Sequence, residues 1–170
     1  MKVHEVMSKS ALACRADTNL AEVARVMEQR ECGFVPLTDA SGRKIVGVVT
    51  DRDICLAAYR ILAPLTEILA SSAMSKHVHG CTEDDDLTHA MEIMRRHFLH
   101  RLPVLDSAGR LTGILSIEDV ARVAGTKGKG PSHLELCETL KVITTPHPRA
   151  TPGSTREGEA TKAYAAPEVE

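Results

Sequence analysis

The sequence predicts an α+β fold, of α/β type in its order of elements, built from two pseudo-symmetric halves and followed by a short helix. Three observations lead to this prediction: an internal repeat, the same order of strand and helix signals in both copies, and a polar C-terminal stretch. Each copy is predicted to form a β-α-β-β-α unit. Units of this size rarely bury enough apolar surface to be stable alone, so we expect the two to pack through their sheets.

The repeat is visible as matches at a constant spacing. Val6-Met7-Ser8-Lys9 matches Ala73-Met74-Ser75-Lys76 at an offset of 67 residues. One residue is then lost in a turn, and Gly47-Val48-Val49-Thr50 matches Gly113-Ile114-Leu115-Ser116 at an offset of 66. Repeats at a fixed period indicate a structural unit that occurs more than once.

The first half of each copy predicts a short strand and a helix, placed in copy one at residues 11–14 and from residue 20 on. Asn19 is typical of an N-cap, and Glu22 follows three residues later, as in a capping box. Apolar residues then recur on one helical face. In the first copy these residues are Leu20, Val23, Ala24 and Met27.

The second half of each copy predicts two strands and a second helix. Residues 34–37 are apolar, but Pro36 cannot donate to a β-ladder, so this strand is expected at a sheet edge or to begin at the proline. Residues 39–42 predict a turn. They are followed by a predicted strand at 45–49 and a predicted helix from about 51 to 59.

These signals divide the chain into five predicted segments. They are copy one at 1–62, copy two at 63–124, a Gly- and Lys-rich linker at 125–131, a short helix at 132–144 and a disordered tail at 145–170. Ser132 and Glu135 have the spacing of a capping box that opens the short helix. Pro, Thr, Ser, Gly and charged residues dominate the tail, a composition that does not support a packed core.

Composition excludes several functional classes. The 21 Lys and Arg balance 23 Asp and Glu, and there is no Trp, which argues against nucleic-acid binding through positive charge or base stacking. No apolar run approaches the ~18 residues of a membrane span, and the N-terminus has no signal-peptide core. We therefore expect a cytoplasmic protein that contacts no membrane. Its five cysteines form no C-x-x-C pair and are expected to be reduced.

The strongest chemical signal is the predicted strand-to-helix junction of each copy. Thr50 is followed three residues later by Asp53, and Ser116 by Asp119. One interpretation is a capping box that needs no ligand. The other is a binding site, because free backbone N–H groups attract anions, a carboxylate accepts from the hydroxyls of a ribose, and a Thr or Ser hydroxyl can donate to phosphate. The residues alone leave both interpretations open.

The repeated unit resembles the CBS domain, named after cystathionine β-synthase, and the two copies together resemble a Bateman module. The resemblance covers about residues 3–123 and excludes the tail beyond Gly125. It rests on three motifs present in both copies. They are Val6-Met7-Ser8 and Ala73-Met74-Ser75, the φ-P-φ segments Val35-Pro36-Leu37 and Leu102-Pro103-Val104, and G-φ-φ-[ST]-x-x-D.

The resemblance implies a regulatory module, not an enzyme, with no required cofactor. Such modules bind AMP, ADP, ATP, NAD or S-adenosylmethionine in clefts between the repeats, and commonly pair helix to helix as flat dimers. It implies that Asp53 and Thr50 serve one cleft, and Asp119 and Ser116 the other. The residues implied to line the base pockets are Cys14, Val35, Pro36, Cys81, Leu102 and Pro103. We therefore expect a homodimer that senses an adenosine-containing small molecule and acts on a partner protein.

Two arginines are candidates for contacting a ligand phosphate. Arg101 occupies the position that Phe34 has in the first copy, and its planar guanidinium matches phosphate oxygens. Arg52 lies in the first turn of its predicted helix. The alternative for both is an exposed side chain without a ligand.

The sequence is also compatible with two other functions. The chain could be an interaction scaffold with this fold and no ligand, its motifs serving only as helix caps. It could also be a metal or redox protein that uses its His and Cys residues, for which His97-x-x-His100 and His77-x-His79 have suitable spacing. Cys14 and Cys81 occupy equivalent positions and could equally be small core residues.

Overall fold

The computed structural model of this protein describes residues 1–126 and 130–145, which contain two three-stranded sheets and their helices. The strand orders are β1-β2-β3 and β4-β5-β6, and each sheet combines one parallel pair with one antiparallel pair. The predicted α+β fold is confirmed. The tail predicted as disordered, from residue 146 on, and residues 127–129 of the predicted linker lie outside the described residues.

The two repeats contain the same elements in the same order. The first repeat consists of β1 (Cys14–Arg15), α1 (Leu20–Arg30), β2 (Phe34–Thr38), β3 (Ile45–Thr50) and α2 (Asp51–Ile61). Two short helical segments, Leu65–Glu67 and α3 (Ala70–Ala73), connect it to the second repeat. The second repeat consists of β4 (Cys81–Thr82), α4 (Leu87–His97), β5 (Arg101–Leu105), β6 (Leu111–Ser116) and α5 (Ile117–Val123). The short helix α6 (His133–Ile143) follows.

The first strand and the place of Pro36 differ from the sequence-based expectation. The strand predicted at 11–14 begins only at Cys14, because only Cys14 and Arg15 pair with β2. The strand that carries Pro36 is the central one of its sheet, so the edge position expected for it is wrong. Since β1 pairs only with Leu37 and Thr38, it does not reach Pro36, and the missing N–H of the proline interrupts no ladder there.

Each repeat has its own hydrophobic core, and each core includes residues from the N-terminal segment of the other repeat. Val3 and Met7 belong to the N-terminal segment of the first repeat but are buried in the second core, beside residues such as Met91. Ile68 and Ala70 belong to the N-terminal segment of the second repeat but are buried in the first core. The packed units therefore differ from the sequence repeats by an exchange of these segments.

The exchanged segments also join the repeats at their sheets. Ser8 and Ile114 of β6 exchange two backbone hydrogen bonds of 2.9 and 3.0 Å, and Ser75 and Val48 of β3 exchange two of 2.9 and 3.1 Å. Each sheet is thus extended by a residue of the other repeat. These pairings join the two repeats by backbone contacts that do not depend on the identity of the side chains, proline excepted.

The exchange also explains why both G-φ-φ motifs begin with glycine. A Cβ atom on Gly113 would lie 2.7 Å from the Sδ atom of Met7 and 2.9 Å from the carbonyl oxygen of Ser8. A Cβ atom on Gly47 would lie 2.5 Å from the Sδ atom of Met74. The Met-Ser motif of each repeat therefore packs on the glycine motif of the other, and a side chain at either glycine would separate them.

The C-terminal helix α6 packs on the helices of the second repeat only. Its residues Leu136 and Ile143 are buried in the second core. Thr139 is also buried, and its Oγ1 accepts a 2.8 Å hydrogen bond from Arg95 of α4. The helix begins with the capping box expected from sequence, in which Glu135 N–H donates to Ser132 Oγ at 3.2 Å. The corresponding helices of the first repeat, α1 and α2, pack on the connecting segments Leu65–Glu67 and α3.

Candidate ligand-binding cleft

Both strand-to-helix junctions fold into capping boxes with nearly identical geometry. Thr50 donates to Asp53 Oδ2 through its backbone N–H (2.9 Å) and its hydroxyl (2.7 Å), and Asp53 N–H donates back to Thr50 Oγ1 (3.2 Å). Ser116 and Asp119 repeat this pattern with distances of 2.9, 2.7 and 3.1 Å. The capping interpretation therefore holds in both repeats, and it uses only one oxygen of each carboxylate.

The second carboxylate oxygen distinguishes the two junctions. Asp119 Oδ1 accepts a hydrogen bond from Arg122, one helical turn further along α5. The residue equivalent to Arg122 in the first repeat is Leu56, which carries no charge. Within the described residues, Asp53 Oδ1 has no hydrogen-bond or ion-pair partner. Asp119 is also the more buried of the two, with 4% of its surface exposed.

A cavity of about 620 Å³ lies between the repeats and contains Asp119; we call it the Asp119 cleft. The first repeat contributes the segment from Ser8 to Leu12, the end of α1 and the start of β2. The second repeat contributes Arg101, β6 and the first turns of α5. A volume of this size is typical of sites for small molecules, which occupy about 300–1,000 Å³.

Charged side chains of both signs line the Asp119 cleft. Arg101 lies 3.6 Å from Glu118, from the guanidinium Nη2 to the carboxylate Oε1, and Arg122 is paired with Asp119. Further charged groups come from the end of α1, namely Glu28, Arg30 and Glu31. Apolar wall is provided by Leu12, Phe34 and Ile114. A ligand with an apolar ring and several hydroxyl or anionic groups suits such a mixed surface.

The structure brings three of the predicted site residues together and separates the others from them. Arg101, Ser116 and Asp119 all line the Asp119 cleft. Thr50, Arg52 and Asp53 do not line the Asp119 cleft. The binding role of these three residues stays a prediction.

Most of the residues implied to line base pockets belong to the cores instead. Val35 and Leu102 are fully buried among core side chains, and Pro36 and Pro103 are also buried. Cys14 packs against the first core as a half-buried residue. The side chains of these buried residues therefore contact the protein interior, and their role in lining a base pocket stays a prediction.

Cys81 lies in a separate cavity of about 280 Å³ at the far end of the β5–β6 hairpin. Asp85, His89 and Asp106 also line this cavity. Burial, and secondarily the charge of Asp85, raises the pKa of the Cys81 thiol to about 12. A thiol with so high a pKa is protonated at neutral pH and is a poor nucleophile or metal ligand.

The histidines associate differently from the pairs expected from spacing. The rings of His79 and His97 stack with centroids 3.6 Å apart and an interplanar angle of 14°. Partial burial lowers the pKa of both imidazoles, and the neighbouring ring adds to the effect at His79. No group of three or more His, Cys, Asp or Glu side chains arranged for a metal ion occurs in the described part of the chain. None of the helices described is long and apolar enough to cross a membrane.

Arg122, Glu118 and the residues of the first repeat that close the cleft are not predicted from the sequence. Arg122 had a detectable signal, because it follows Asp119 by three residues on a predicted helix, where side chains are neighbours. Leu12 and the end of α1 had no detectable signal in the sequence, because their approach to the second repeat depends on how the repeats pack.

The comparison with known families agrees with this architecture. The family model of the CBS domain matches residues 3–60 and residues 67–125. The chain belongs to the CBS domain family. Because the two matches are consecutive, the chain contains a CBS domain pair, and the described helix α6 lies beyond the matched residues.

Relatives of this CBS pair include proteins with known structures. The chain is 34% identical over 123 residues to an uncharacterised 17.7 kDa protein from the bps2 3′ region of Acidianus ambivalens, and the match covers 71% of each chain. The CBS domain pair of protein MJ0100, solved with 5′-methylthioadenosine and S-adenosyl-L-methionine, has a TM-score of 0.65 at 24% identity and covers 72% of this chain and 94% of that one. PAE2072 from Pyrobaculum aerophilum, solved with AMP, has a TM-score of 0.67 at 23% identity and covers 83% and 99%. The two structures establish that the fold is shared.

Proposed function

We propose that this CBS pair is a regulatory module that binds an adenosine-containing molecule in the Asp119 cleft. The observation that carries the proposal is a buried carboxylate, held by Ser116, that opens onto a cavity of about 620 Å³ between the repeats. A buried carboxylate at the wall of a cavity is a strong acceptor for hydroxyl groups of a ligand. A ribose, with two adjacent hydroxyls, fits such an acceptor.

The surroundings of Asp119 suit the remaining parts of a nucleoside or nucleotide. Leu12, Phe34 and Ile114 offer apolar surface to a base, and Arg101 offers a guanidinium group to a phosphate. A hydrogen bond between a ribose hydroxyl and the carboxylate contributes ~1.5–3 kcal/mol, which corresponds to about tenfold or more in affinity.

The ligands of the two solved relatives support this choice of ligand class. The MJ0100 pair was solved with 5′-methylthioadenosine and S-adenosyl-L-methionine, and PAE2072 with AMP. Their common part is adenosine, which matches the proposed partner of Asp119. An AMP ligand would suit a role in energy sensing.

We propose that the module acts by changing shape rather than by catalysis. A ligand shifts a protein between conformations only through different affinities for them, and a cleft between two packed repeats offers that difference. We further propose that the module works in the cytoplasm as a homodimer and acts on a partner protein. Since α6 covers α4 and α5, helix-to-helix pairing would use α1 and α2, where Tyr59 and Leu62 are exposed.

Thermal unfolding with and without ligand tests the proposed function. We expect at least one compound among AMP, ADP, ATP, NAD and S-adenosylmethionine to stabilise the protein. Ligand at 100 times its Kd stabilises by ~2.7 kcal/mol, which raises Tm by roughly 5–10 °C for a protein of this size. Inorganic phosphate, which carries the anion without ribose or base, serves as a control for nonspecific anion binding. No shift with any adenosine compound at millimolar concentration would contradict the proposal and favour a ligand-free scaffold.

A further inference from the structure

Arg122 places a cation on the carboxylate that the proposed function assigns to ribose. The two residues face each other across one turn of α5. Only 5% of the Asp119 side chain is exposed, against 71% of the Arg122 side chain. The pair therefore consists of a buried carboxylate and a largely exposed guanidinium group, and both residues line the cleft.

A ribose that binds Asp119 has to compete with Arg122. Asp119 Oδ2 already accepts two hydrogen bonds from Ser116, and Oδ1 accepts from Arg122. Both oxygens of the carboxylate are thus engaged, and Oδ1 is engaged by a cation. Binding at Oδ1 displaces this contact or weakens it, and it is favoured when the guanidinium group gains another anion in return.

The first repeat lacks an ion pair equivalent to Arg122–Asp119 among the described residues. Leu56 stands at the position equivalent to Arg122, so Asp53 has no cation beside it among the described residues. The capping geometry of the two acids is otherwise the same. Arg122 is therefore not needed to hold the carboxylate in its capping box.

We propose that Arg122 determines ligand specificity by exchanging Asp119 for the phosphate of a nucleoside monophosphate when the ribose binds. This inference rests on the proposed function and names the ligand subclass of the same cleft. A guanidinium group binds phosphate oxygens in a bidentate manner. Arg101 lies in the same cleft and would bind the same phosphate. Its ion pair with Glu118 is long, at 3.6 Å.

The charges around the cleft limit how much phosphate it accepts. Glu28, Glu31 and Glu118 line it together with the arginines, so a long polyphosphate would meet carboxylates. Adenosine has no anion to offer Arg122, and S-adenosylmethionine has a cationic sulfonium where AMP has its phosphate, with its carboxylate farther from the ribose. We therefore expect AMP to bind more tightly than either adenosine or S-adenosylmethionine.

Isothermal titration of AMP and adenosine into wild type, Arg122→Leu and Arg122→Lys tests this role. Arg122→Leu installs the residue that the first repeat already carries at this position. We expect it to weaken AMP binding by about tenfold or more and to leave adenosine binding unchanged or tighter. Arg122→Lys should recover part of the AMP affinity, because it restores the charge but not the planar fork. Arg25→Leu is the matched control, since Arg25 forms the same i,i+3 pair with Glu22 on α1 and does not line the cleft.

The outcomes separate this inference from the proposed function. If adenosine binds but wild type shows no preference for AMP, or if Arg122→Leu weakens both ligands equally, the specificity role is wrong and the proposed function stands. Tighter binding of S-adenosylmethionine than of AMP would have the same meaning. If wild type binds no adenosine compound, both are wrong.

Discussion

Asp53 and Asp119 show how far a residue's role can be predicted from its neighbours in sequence. The spacing of Thr50 and Ser116 from these acids allowed a capping box or a binding site, and the capping interpretation is confirmed in both repeats. It does not predict that only Asp119 opens onto the large cleft, because the opposite wall comes from the other repeat. Val35 and Leu102 illustrate the same limit, since an apolar residue in a strand looks alike whether it lines a pocket or a core.

The two acids provide a matched pair of variants. Asp119→Asn should weaken binding of AMP by about tenfold or more, because it removes the charge that a ribose hydroxyl bonds. Asp53→Asn changes the same capping interaction in the first repeat and should leave that affinity unchanged. Isothermal titration measures the affinities, and thermal unfolding checks that both variants lose similar stability. A larger loss of affinity in Asp53→Asn would place the ligand in the other cleft.

At the scale of elements, local sequence signals predict whether a segment is a helix or a strand better than they predict which strands pair. The N-caps Asn19 and Ser132 are present as expected from sequence. The length of β1 and the central position of β2 could not be predicted, because both depend on which strand approaches from elsewhere in the chain. The packing of α6 on α4 and α5 could not be predicted for the same reason.

The contribution of α6 to stability is testable with two leucines of the same helix. Leu136 is buried in the second core, whereas Leu134 is 68% exposed. Leu136→Ala should lower the free energy of unfolding by ~2–4 kcal/mol through lost burial and a cavity. Leu134→Ala should change it by less than ~0.5 kcal/mol. Urea unfolding of the full chain measures both. Equal effects would show that α6 does not pack on the second repeat as described.

At the scale of the whole molecule, the repeat predicts two similar units but not how they are joined. The Met-Ser and glycine motifs are visible in the sequence as separate signals, and only the fold shows that each Met packs on the glycine of the other repeat. The exchange buries Val3 in one core and Ile68 in the other. It joins the two repeats by side-chain packing and backbone hydrogen bonds, on either side of the cleft in which Asp119 lies.

A crystal structure of the chain grown with AMP tests the central claim most directly, because it reports the ligand position rather than an affinity. We expect AMP between the repeats, with a ribose hydroxyl within hydrogen-bond distance of the Asp119 carboxylate and the phosphate turned toward Arg122 and Arg101. Crystals grown at saturating AMP in which this cleft holds no nucleotide, or in which AMP is bound elsewhere, would contradict the account.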